Sequence, residues 1–146
     1  MSFFDSFNIS GSGLTAQRVR LDVIADNIAN VSTTRTESGE PYRRRTVVLE
    51  SAGDPSFSDV YNDALGESSG AGVRVAAIGE DPSDFKLSYD PANPDAGADG
   101  YVRYPNVELV TEMVDLIGAQ RAYEANATAM DATKAMAQRA LQIGQA

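Results

Sequence analysis

The sequence predicts an elongated α+β chain, with a helix at each end and a small β-hairpin or β-sheet region between them. Three observations lead to this class. Apolar residues recur at intervals of three and four in residues 14–31 and again in 109–141. Five of the 6 prolines lie in residues 46–106, together with the Gly- and Ser-rich stretch Gly66 to Gly72, which marks turns and short strands. The last helical stretch, Val107 to Ile143, would run about 55 Å if unbroken, whereas a compact chain of this size is about 38 Å across. The resulting division is an N-terminal helical segment in 1–34, a β-rich and loop region in 35–105 and a long C-terminal helix in 106–146.

The first helix is expected from Ser12, as N-cap, to about Asn30, where the Ser32-Thr33-Thr34 cluster ends it. Leu14, Leu21, Ile24, Ile28 and Val31 share an arc of roughly 100° and form a coiled-coil-like seam. Arg20, Asp22 and Asp26 face away from it. Four strands are expected in the middle: Tyr42 to Ser51, Val73 to Ile78, Phe85 to Tyr89 and Tyr101 to Tyr104. They carry too few large apolar residues for an independent core and need the helices or another subunit. The last helix has Pro105 just outside it, Asn106 as a candidate cap, and Glu108 and Glu112 at its positive end. Gly118 and Asn126 are the points at which it could break. Its seam is Leu109, Met113, Leu116, Gln120, Tyr123, Ala127, Met130, Lys134, Ala137 and Leu141. A second apolar group, Val110, Val114 and Ile117, lies about 100° around the helix, so one partner helix cannot cover this surface.

Composition removes most chemistry. The chain has 146 residues, 42% of them hydrophobic, and no apolar run approaches the length of a membrane span. With His 0 and Cys 0, it cannot build a Ser-His-Asp triad, a thiol nucleophile, a His/Cys zinc site or a disulfide. Its 12 Lys and Arg against 21 Asp and Glu give a net charge of −9, which argues against nucleic acid and anionic membranes as partners. The acidic excess sits in residues 46–106. The start of the chain has no basic region followed by an apolar stretch, so the general secretory route is not expected.

Four local patterns invite a functional reading, and each has a plainer one. Gly11-Ser12-Gly13-Leu14-Thr15-Ala16 matches the dinucleotide pattern, but no strand precedes it, and entry into a helix accounts for both glycines. Arg43-Arg44-Arg45 is too short for a nucleic-acid patch and is expected to pair with the acidic middle of a neighbouring copy. Asp90, Asn93, Asp95 and Asp99 lack the register of a calcium loop and read as an ordinary turn. Asn27 and Asn30 either end the helix through local hydrogen bonds or bond across a helix interface. No catalytic pair, metal site, cofactor or small-molecule substrate is nominated.

The stretch SGLTAQRVRLDVIADNIANVST, Ser12 to Thr33, resembles the N-terminal signature of bacterial flagellar rod and hook proteins. The run EMVDLIGAQRAYEANATAMDATKAMAQRALQIGQ, Glu112 to Gln145, is similar to the matching end helix. Three middle stretches, EPYRRRTVVLE from Glu40, GVRVAAIGEDPSDFKLSYDPANPDAGADGYV from Gly72 and YPNVELVTEMVDL from Tyr104, narrow the resemblance to the proximal rod members. Ser51 to Ala71 is the least characteristic part.

The resemblance implies terminal helices packed as an antiparallel coiled coil in the inner tube of a rod, with intervening residues outside. It implies assembly contacts at Leu14, Ala16, Gln17, Leu21, Ile24, Asn27, Ile28, Ala29 and Asn30, and at Met113, Val114, Ile117, Tyr123 and Asn126. Val110, Leu116, Met130 and Leu141 join them from the apolar periodicity of the last helix. Implied partners are other copies of the chain, the proximal rod proteins FlgB and FlgF, the adaptor FliE, the distal rod protein FlgG and the flagellar type III export apparatus. The implied location is the basal-body rod, in the periplasm or cell-wall space, reached unfolded and without a cleaved signal. A soluble helical adaptor that binds one partner helix in a discrete complex is the alternative that the residues also admit. A carboxylate-based hydrolase would require a deep pocket with acids of perturbed pKa.

Overall fold

The computed structural model describes residues 3–53, Tyr61 and residues 72–144. The expected turn at Gly66 to Ala71 lies outside the described residues. Helix α1 spans Phe3–Ala29, strands β1 to β4 span Arg45–Ser51, Val73–Glu80, Lys86–Tyr89 and Tyr101–Tyr104, and helix α2 spans Leu109–Ile143. Strands β1 and β2 form one two-stranded sheet and β3 and β4 another. The chain is therefore α+β, with helices at both ends and small antiparallel sheets between them. It folds as two compact units: Met1–Val19, Leu49–Ala76 and Ala119–Ala146 in the first, Arg20–Val48 and Ala77–Gly118 in the second.

Helix α1 begins nine residues before the expected Ser12 cap, because Ser12 is not a cap at all. Its hydroxyl donates back to the Ile9 carbonyl at 2.7 Å, the bond a serine makes inside a helix. The same oxygen accepts the Val73 amide at 3.1 Å, tying β2 to the helix. Close approach explains the neighbouring glycines. A Cβ at Gly13 would sit 2.8 Å from the Asn126 side-chain oxygen, so its absence lets α2 come near. Gly72 adopts φ +80°, where a side chain is strained, and a Cβ there would strike the Ser12 hydroxyl. The first unit is thus held by small and polar side chains: Ser10, Ala16, Ala119 and Thr133 are buried.

In the second unit α1 and α2 also run antiparallel, Asn27 meeting Glu112 and Arg20 meeting Asp115. Arg20, expected to face away from the seam toward solvent or a polar neighbour, meets the Asp115 carboxylate at 3.6 Å. Val23, Ile24, Tyr42, Val102 and Val107 supply the buried apolar side chains. Strand β1 starts at Arg45 rather than Tyr42, whose ring belongs to this core. The β1–β2 pairing is antiparallel, with the Asp81 amide donating to the Arg44 carbonyl at one end and the Ala52 amide to Gly72 at the other. In the second hairpin Tyr89 faces Tyr101, their rings edge to face at 5.3 Å. The acidic loop between them is built from Asx turns, Asp90 accepting the Ala92 amide and Asn93 the Asp95 amide. Among the described residues no group of three or more acids is placed to hold a metal ion, and no helix is long and apolar enough to cross a membrane.

Helix α2 starts at Leu109, two residues later than expected, because Asn106 is engaged elsewhere: its oxygen accepts the Arg44 amide and its nitrogen donates to the Ser83 hydroxyl. The helix then runs 35 residues without a break at Gly118 or Asn126. The Asn126 amide donates to the Ala122 carbonyl one turn back, which leaves the ladder intact.

Gly13→Ala should force the Asn126 amide aside and destabilise the fold by about 1–3 kcal/mol. Gly118→Ala, where a Cβ meets nothing within 4 Å, should stabilise by about 0.5–1 kcal/mol. Urea unfolding of the two variants checks both signs.

Candidate interaction surface and its polar anchor

The centre of the second unit is a polar node. Asn27 on α1 is only 1% exposed, and every hydrogen-bonding position of its amide is used. The side-chain oxygen accepts the Arg45 amide at 2.9 Å and the Tyr42 hydroxyl at 3.0 Å. The nitrogen donates to the Arg45 carbonyl at 2.9 Å and to Glu112 Oε2 at 3.0 Å. Asn27 thus continues the strand-like pairing of Arg45 while reaching across to α2. Asn30, one turn on, does the other thing expected of the pair: it donates to the Asp26 carbonyl and accepts the Thr33 hydroxyl, closing the helix end.

Glu112 is fully buried, a position a carboxylate occupies only when paired. Arg44 supplies the pairing through its Nε at 2.6 Å from Oε1, while its terminal nitrogens reach Asp81 at 3.5 Å and Asp115 at 3.6 Å. Burial works against the Arg44 charge, but the Glu112 and Asp81 carboxylates outweigh it and raise its pKa above the ordinary value. Burial is also the main cause of the raised Tyr42 pKa, partly opposed by Arg45, so the phenol stays a donor to Asn27. The Ser83 amide and hydroxyl, with Arg44 behind them, hold the Asp81 carboxyl below the usual range. Two members of the basic triplet are thus engaged inside the chain, while Arg45 is exposed. Arg43 caps the Asp81 and Ser83 carbonyls and lies over the Phe85 ring, and Arg44 carries the ion pairs.

Because Glu112 faces α1, most of the large apolar side chains of this part of α2 face away. Val110 is 67% exposed and Val114 64%, with Met113 and Ile117 more than half exposed between them. At 100° per residue these four centre about 150° around the helix from Glu112. The buried stripe of α2 is instead Glu112, Ala119, Asn126 and Thr133 at heptad intervals, fully or partly buried and small or polar throughout, with Leu116, Met130 and Ala137 half-buried beside it. The expected seam misplaced it: Leu109, Met113, Gln120, Tyr123, Lys134 and Leu141 are exposed. On α1, Ile24 and Asn27 are buried and Leu14, Gln17, Leu21, Ile28 and Asn30 half-buried. Val23 belongs to the packed face and was not singled out, and Gly13, read only as part of a helix entry, packs against Asn126. The Gln17 side-chain oxygen is buried with no hydrogen-bond partner among the described residues.

An open groove of about 500 Å³ lies in the second unit, lined by residues that include Arg35, Leu87, Asp95, Asp99, Tyr101 and Arg103. Asp81, whose pKa is displaced, does not line it and is moved down, opposite to what a general acid needs.

Comparison with known proteins places both ends and the whole length. Residues 7–35 match the model of the flagella basal body rod protein family, and residues 98–143 that of the flagellar basal body rod FlgEFG protein C-terminal family. The chain is 54% identical to the flagellar basal-body rod protein FlgC of Bacillus subtilis, with 99% of each chain covered. It is 50% identical to the FlgC of Borreliella burgdorferi over 98% of each chain. For the FlgC of Escherichia coli O157:H7 the identity is 41%, over 99% of this chain and all of the relative.

Glu112→Ala should destabilise the second unit by about 3 kcal/mol, since it strands the Asn27 amide and a buried face of Arg44, and denaturant unfolding reads the loss. The lowered Asp81 pKa means its contribution is present above the ordinary carboxylate range and disappears as pH falls through the lowered value. The melting-temperature gap between the wild type and Asp81→Asn should therefore be widest near neutrality and close in acid.

Proposed function

The chain belongs to the FlgC family of flagellar basal-body rod proteins, and from that premise we propose how it assembles. It is a structural subunit of the basal-body rod, not an enzyme, and joins other rod components there. The two terminal helices form the inner part of the rod wall around a central export channel, and the middle strands and loops lie outside. Copies of the chain stack with one another and with FlgB, FlgF and FliE in the proximal rod, followed by the distal rod protein FlgG, and the assembled tube transmits torque. The subunit reaches this place, in the periplasm or cell-wall space, through the flagellar type III apparatus.

The observation that carries the reading is the outward flank of Val110, Met113, Val114 and Ile117. Four large apolar side chains on two turns of one helix form a patch that water disfavours and another protein surface can bury. Burial of each contributes roughly 1.5–3 kcal/mol, enough for the set to order a neighbour's helix. Exposed Leu141 and Met136 extend the same demand to the other unit. Contacts between different faces of successive copies generate an open helical array instead of a closed complex. A one-helix adaptor would leave part of this surface uncovered, which is why the rod reading is preferred.

Val114→Asp should melt within about 0.5 kcal/mol of the wild type, as expected for an exposed position. It should nevertheless abolish motility and leave basal bodies without the subunit. Normal swimming in that variant would count against the flank as an interface.

A further inference from the structure

We infer that Glu112, held by Asn27 and Arg44, sets the rotation of α2 about its own axis and so keeps the Val110–Ile117 flank facing outward. Hydrophobicity by itself favours the opposite rotation, with Met113, Val114 and Ile117 turned onto α1 and the carboxylate returned to water. Something must outweigh both tendencies. The candidates on α2 in this unit are Glu112, which bonds Asn27 and Arg44, and Asp115, which meets Arg20 and Arg44 at the longer distance of 3.6 Å. Only Glu112 is buried, and only its bonds are short, at 2.6 and 3.0 Å.

The anchor on the other side is equally specific. Asn27 has two donor hydrogens, one committed to the Arg45 carbonyl, and the other reaches a partner only when Glu112 is turned inward. Stability alone does not call for such a pair, because an apolar pair of the same volume is often as stable as a buried ion pair. What the pair adds is direction: an apolar residue at 112 would merge with Leu109, Met113 and Leu116 into one stripe and leave the rotation undecided. Glu112 is in this sense a positioning residue. Its use in assembly rests on the reading above, but the rotation itself is a property of the isolated chain.

The absence of cysteine makes the test direct. Met113→Cys provides a single thiol on the flank, and its labelling rate by a maleimide is measured on the full chain in four forms: otherwise wild type, Glu112→Gln, Glu112→Leu and Arg44→Met. Glu112→Gln keeps the volume and the bond from Asn27 and should label within about twofold of the parent. Glu112→Leu removes the polar cue and Arg44→Met removes the counter-charge that lets a carboxylate stay buried. In each, folded as judged by circular dichroism and a cooperative melt, labelling should slow by about tenfold as the flank turns inward. An unchanged rate in either folded variant overturns the inference, as does an equal slowing in Glu112→Gln. Unchanged labelling with lost motility in Val114→Asp alone would sink the rotation and spare the interface. Slowed labelling with normal motility in Val114→Asp would do the reverse.

Discussion

One buried carboxylate organises the second unit. Glu112 would cost several kcal/mol in an apolar surrounding, and it stays there because Arg44 meets one oxygen and Asn27 the other. Each partner is engaged in turn: Asn27 joins the backbone of Arg45 and the Tyr42 hydroxyl, and Arg44 extends to Asp81 and Asp115. Three separate pieces of chain, the end of α1, the start of β1 and the first turns of α2, are thereby held at one point. A network in which every member is satisfied rigidifies what it joins.

The node also divides the surface of α2 by chemistry. Its inward side is small or polar in both units, allowing close approach at Gly13 and Ala119. The outward side carries the bulk that a self-contained protein would have hidden. A large apolar area is thereby left at the surface of α2, where burial against another protein surface is favourable.

The strands and both helices were legible because their signals are local. Alternation and turn residues marked β2 to β4, and the Asn30 region closed α1 as its side chains suggested. The rotation of α2 was not legible, because periodicity ranks positions by hydrophobicity and the buried stripe of Glu112, Asn126 and Thr133 is polar. Nor was the start of α1: Ser12 and the two glycines look like a helix entry until the partners at Asn126 and Val73 are known. Asn27 was singled out with both of its possible roles, and its partner in the crossing role, 85 positions away, has no mark in a local pattern. The family resemblance named positions on both helices without revealing which of them face inward and which face out.

The same junction has a mechanical meaning. Asn27 bonds Glu112 across the helix pair, not along it, so a force that slides one helix past the other must stretch a charge-assisted contact before any apolar surface gives way. Interdigitated apolar side chains resist sliding by shape, and a transverse polar pin adds a directional bond to that resistance. The pin therefore fixes the two helices in register as well as in rotation.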